Sequence, residues 1–214
     1  MFNISAGPNP EFKDERVGYL FAYAQMSANQ AIRFAELESR QAPKSPISRA
    51  KWSMGGKDAE RLEIYVSGVL AASLFFEAYS FDYVARKRST SFAKKYFDKL
   101  DPPARWLLGT SLCAPPGLDA SNHAFGRMAD ICGYRNKLVH NKTTEGDSFY
   151  PPPPIEETFN PLACLEALVG FCELLYKLDP TESFARFVST HVAIWMSDAA
   201  IGNFDYPMIA NVDP

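Results

Sequence analysis

Arg135, Asn136 and His140 set a permanent cation, an amide and a titratable imidazole within about one and a half turns of helix. A guanidinium offers a bidentate fork to phosphate, and an imidazole takes up or releases a proton near neutral pH. That pairing is useful for RNA cleavage: an attacking 2′-hydroxyl loses a proton, the leaving 5′-oxygen gains one, and negative charge on phosphorus is stabilised. No metal is required for such chemistry. On an ideal helix Asn136 and His140, four apart, share a face, whereas Arg135 and His140 lie about 140° apart around the axis. Arg135 must reach round, or the helix must deform. A structural reading competes, in which both side chains complement the dipole at a helix end and hydrogen-bond its last carbonyls.

Other residues that carry chemistry are placed less favourably. Glu77 falls on an apolar face with Ser73, Phe76, Ala78 and Tyr79, where a carboxylate is costly without a partner, so a pairing with Arg135 or another cation is expected. Asp82 reads as a solvated or capping residue. His123 and His191 have no convergent partners in sequence, and no metal site is expected, because three or four ligands at suitable spacing are not found. Gly55-Gly56-Lys57 lacks the rest of a phosphate-binding loop. Cys113, Cys132, Cys164 and Cys172 are scattered among apolar residues, which predicts free buried thiols.

The elements that position these residues are helical. Apolar residues recur at three- and four-residue spacing from Asp14 to Ser39, and again from Asp58 to about Lys87, where Asp58 is the expected N-cap and Arg86, Lys87 and Arg88 the cationic end. The second is the expected central helix. Shorter helices are predicted over Ser91–Leu100 and Ala104–Ser111, separated by Asp101-Pro102-Pro103, followed by a helix from Ser121 to Asn141. Gly126 and Gly133 within it suggest close packing or a local irregularity. Two more helices, Pro161–Leu178 and Thr181 to about Ala200, complete the set. Gln41 to Gly56 reads as a loop, and Pro151 to Pro154 as a stiff connector. Strand signals are almost absent, so the fold class is all-α, a helical bundle with an added N-terminal helix. The divisions are 1–57 as a helix and loop extension, 58–200 as the helical domain, and 201–214 as a tail.

The 214 residues suffice for one core, and 47% hydrophobic content allows it to be well filled. A net charge of -3 argues against a whole-surface grip on nucleic acid, so any RNA contact must be local. No signal peptide and no uninterrupted apolar run of spanning length is recognisable, which predicts a cytoplasmic protein with no membrane partner.

Tyr134-Arg135-Asn136-Lys137-Leu138-Val139-His140-Asn141 resembles the RN-x-x-VH form of the Arg-x4-6-His signature of the HEPN superfamily, the higher eukaryotes and prokaryotes nucleotide-binding domains. Ala71-Ala72-Ser73-Leu74-Phe75-Phe76-Glu77-Ala78-Tyr79 resembles the Ser-x-x-x-Glu-Ala-aromatic run of bacterial HEPN proteins, and the two stretches come in the expected order. The resemblance implies a helical bundle that dimerises so that two motifs meet at a cleft, and a metal-independent endoribonuclease of single-stranded RNA that needs no cofactor. It also implies a toxin, toxin-antitoxin or abortive infection setting, with an antitoxin or regulatory protein as partner. Carried over by residue, His140 would transfer protons, Arg135 would bind phosphate and Asn136 would orient the pair. Lys137 and Lys142 would add local positive charge, and Tyr134 would stack on a base if it faces the cleft. A non-catalytic HEPN module that binds RNA, a nucleotide or a protein partner is the alternative.

Overall fold

A computed structural model describes residues 15–39, 57–139 and 160–198. The expected loop over 41–56, the Pro151–Pro154 connector and the tail after Gly202 lie outside the described residues. Within them the chain forms seven helices and no strand: α1 (Glu15–Ser39), α2 (Lys57–Lys87), α3 (Thr90–Tyr96), α4 (Pro102–Cys113), α5 (His123–Val139), α6 (Pro161–Leu178) and α7 (Ser183–Asp198). The fold is all-α, as the periodicity predicts.

The local start signals are specific. Ser89 accepts a hydrogen bond from the Phe92 amide at 3.1 Å, Asp101 from that of Ala104 at 2.8 Å, and Asn160 from that of Ala163 at 2.7 Å. Each satisfies an orphan donor of its helix. Pro102 and Pro103 therefore open α4 instead of separating it from α3, because proline is tolerated where the helix has no use for its missing N–H. Asp58 is not the N-cap of α2, which already includes Lys57. α5 starts two residues later than Ser121, at His123, with Asn122 accepting from the Ala124 amide at 2.9 Å.

α2, 31 residues and about 46 Å long, runs through the middle of the molecule and packs against α1, α3, α4, α5 and α6. By length and hydropathy it could cross a membrane, yet most of it is buried inside the bundle. Aromatic side chains fill the centre. Tyr79 meets Trp106 and Phe184 edge-on at 5.2 and 5.1 Å, and Phe171 meets Phe76 and Trp106 at 5.4 and 4.8 Å. The Trp106 indole donates to the Phe76 carbonyl at 3.2 Å, so its polar atom is not stranded. The N-terminal helix is no appendage: Leu20, Ala24, Ala28, Ala31, Phe34 and Leu37 belong to the same core.

Two glycines mark close helix contacts, and neither is in α5. A Cβ on Gly68 would lie 2.9 Å from the Pro161 Cβ, and one on Gly109 would lie 2.7 Å from the Val84 Cγ2. Gly126 and Gly133 have nothing within 4 Å of that position, and α5 is regular through both, so neither close packing nor an irregularity explains them.

The α6–α7 turn is tied to the end of α2 by buried ionic groups. Glu182, fully buried, accepts from the Tyr79 hydroxyl at 3.0 Å and from both terminal nitrogens of Arg86 at 3.0 and 3.1 Å. Asp179 accepts from the Tyr83 hydroxyl at 3.0 Å and pairs with Lys87 at 2.6 Å. Asp82 is neither solvated nor a cap: it is buried, and its Oδ2 accepts from Arg86 Nε at 2.6 Å. Spacing of four along α2 places Asp82 beneath Arg86, which is why the carboxylate is tolerated there. Burial works against the Arg86 cation, but Glu182, then Asp82, hold its pKa above the ordinary value.

Candidate functional site

α5 turns Phe125, Met128, Ile131, Cys132 and Tyr134 into the core and carries its polar residues along the outer side. Near the end of that helix, Arg135 keeps 26% of its side chain accessible and reaches across to α2, where Glu77 keeps 34%. The Arg135 Nη2 donates to Glu77 Oε2 at 3.1 Å, and its Nη1 donates to Asn136 Oδ1 at 3.0 Å. The carboxylate on α2, a third of its side chain open to water, thus has a cationic partner, and that partner is Arg135. The guanidinium extends to Glu77, and α5 is regular as far as Val139.

Beneath the pair lie the small polar groups of both helices. Ser73 and Cys132 are buried, and burial pushes the Cys132 thiol up to about 12, against the opposing hydrogen bond from Ser73. Cys132 is therefore a protonated core thiol, its sulfur 4.0 Å from that of Met128. Burial disfavours its thiolate, the nucleophilic form.

Of the residues singled out in sequence, Arg135, Asn136 and Glu77 converge. Lys137 is exposed on the same helix end. Tyr134 is turned the other way: its ring is buried in the core, and burial raises its phenol, so it is not offered to a base at the surface. The helical register explains the correction, since Tyr134 falls in line with Ile131 on the inward face. His140 and Lys142 lie outside the described residues.

The remaining histidines are elsewhere. His191 lies on α7, half-buried, with its ring 3.8 Å from that of Phe187 and Nδ1 2.9 Å from the Phe187 carbonyl. His123 opens α5 and, with Arg127 and Glu166, lines a shallow hollow of about 120 Å³ between α5 and α6. Burial raises the Glu166 carboxyl, partly countered by Arg127. The hollow could not be read from the sequence, because Glu166 comes from a helix more than 25 positions downstream of Arg127. Among the described residues no three His, Cys, Asp or Glu side chains gather as metal ligands would.

Compared with known proteins, the chain matches no family model, no curated protein and no solved structure.

Proposed function

We propose that the chain is a HEPN-type endoribonuclease that cleaves single-stranded RNA without a metal. One observation supports this above others: Arg135 from the RN-x-x-VH run pairs with Glu77 from the Ser-x-x-x-Glu-Ala-aromatic run, so the two HEPN-like stretches meet at one solvent-accessible seam. In this reading the RNA 2′-hydroxyl loses its proton to a base and its oxygen bonds to phosphorus. The P–O5′ bond then breaks, and the leaving oxygen takes up a proton. The products are a 2′,3′-cyclic phosphate and a 5′-hydroxyl. His140 moves protons, and the Arg135 guanidinium binds the phosphate, with Asn136 fixing its plane. A homodimer that brings two motifs together supplies one imidazole for each proton transfer. It also makes a local positive cleft from Arg135, Lys137 and Lys142 on an acidic protein. A toxin or phage-defence role with an antitoxin or regulatory partner is the setting that goes with this reading.

The purified protein should cleave single-stranded RNA in EDTA, and His140→Ala should abolish cleavage while leaving thermal melting unchanged. Undiminished cleavage by that variant removes His140 from the mechanism. The second reading is a non-catalytic module, favoured by the fact that Glu77 and Asn136 engage both terminal nitrogens of Arg135. It requires that the parent protein cleave nothing and that Arg135→Ala lose folding or dimerisation.

A further inference from the structure

The Arg135–Glu77 pair is too exposed to be there for the stability of the fold. Both side chains keep a quarter to a third of their surface, and ion pairs so open to water contribute little. Its consequence is electrostatic. A guanidinium has five N–H donors, and here one on Nη1 is given to Asn136 and one on Nη2 to Glu77. Donors remain for a phosphate, and the two contacts fix the plane in which they lie. Glu77 also brings a negative charge to 3.1 Å from the cation, and a phosphodiester carries the same charge as that carboxylate. An incoming RNA strand therefore meets a neutralised pair, not a free cation.

We propose that Glu77 is a positioning residue and an electrostatic brake: it orients the Arg135 guanidinium while weakening its hold on an RNA phosphate. The inference rests on the ribonuclease reading above. Glu77→Gln keeps the shape and one acceptor oxygen for Arg135, removes the charge and replaces the other oxygen by an NH2 donor.

The test is binding of a fluorescent 2′-O-methyl RNA oligonucleotide, which lacks the attacking hydroxyl and stays intact, followed by anisotropy over a range of salt. E77Q should bind roughly three- to tenfold more tightly than the parent at low salt, the effect of removing one unit charge a few ångströms from the phosphate. Its salt dependence should steepen by roughly 0.7 in log–log slope, the value for one further neutralised phosphate on a single strand. The gain should vanish in an Arg135→Ala background. E77A, which removes the charge and the acceptor together, should gain less than E77Q. If Arg135→Ala weakens binding but neither Glu77 variant strengthens it, the brake is overturned and RNA binding through Arg135 stands. If the parent and both Glu77 variants all fail to bind, both ideas are overturned. Loss of cooperative melting in both variants would make Glu77 a structural residue and overturn the brake.

Discussion

Four thiols divide sharply by environment. Cys132, Cys164 and Cys172 are buried and Cys113 is only partly so. Burial pushes Cys132 and Cys164 up to about 12 and Cys172 well above its ordinary value. The thiolate is the reactive form, and at pH 8 these three hold almost none of it. Titration of the native protein with a thiol reagent such as Ellman's should modify Cys113 alone, with the other three reacting after denaturation. Fast native-state reaction of two or more thiols would contradict the packing of α5 or α6. At this scale Glu77 was readable from sequence, because a carboxylate between Phe76 and Ala78 on an apolar face demands a cation. Tyr134 was not, because adjacency to Arg135 in sequence says nothing about which face of α5 each occupies. Asp82 was misjudged for a related reason: it is buried in the fold and shares Arg86 with Glu182 of the α6–α7 turn, a partner far along the chain.

Helix positions occupied by glycine behave in opposite ways in α2 and α5. Gly68 faces the ring and backbone of Pro161, neither of which can yield easily, so Gly68→Ala should overpack the α2–α6 contact. The expected loss is about 1–2 kcal/mol after its gain in helix propensity. Gly126→Ala meets open space and should raise stability by up to about 1 kcal/mol, since only backbone entropy changes. Denaturant melts of both variants check the pair, and a shared sign would show that the α2–α6 approach is misjudged. Periodicity located all seven described helices, and α6 to the residue, because Asn160-Pro161 combines a cap with a proline at the first helical position. It mistook Pro102-Pro103 for a break, although Asp101 before it supplies the same signal.

The described helices share an aromatic core and are joined by the ionic latch from the end of α2 to the α6–α7 turn. Asp179 is buried, which favours its neutral form, but hydrogen bonds from Lys87, Thr181 and Tyr83 outweigh this and hold its carboxyl below the usual range. A carboxylate whose folded pKa lies below its unfolded value of about 3.9 stabilises the protein fully above that pH. The contribution is lost as pH falls through the folded pKa. Asp179→Asn should therefore melt at a lower temperature than the parent at pH 6–7, with the difference shrinking below about pH 4. An undiminished difference in acid would mean that Asp179 does not carry the latch charge. The sequence by itself determined an all-α chain, its helix positions, a central α2 and the expectation of a cation beside Glu77, since these follow from local spacing and from the cost of a bare charge on an apolar face. Only the tertiary structure decided that α1 shares the common core, that Glu77 chooses Arg135, and that Asp82, Asp179 and Glu182 meet around Arg86 and Lys87. Asp82 and Arg86 are four apart on α2, but the pairings between helices join residues about 60 to 100 positions apart, and no local spacing encodes which partner the packing of helices will bring within reach.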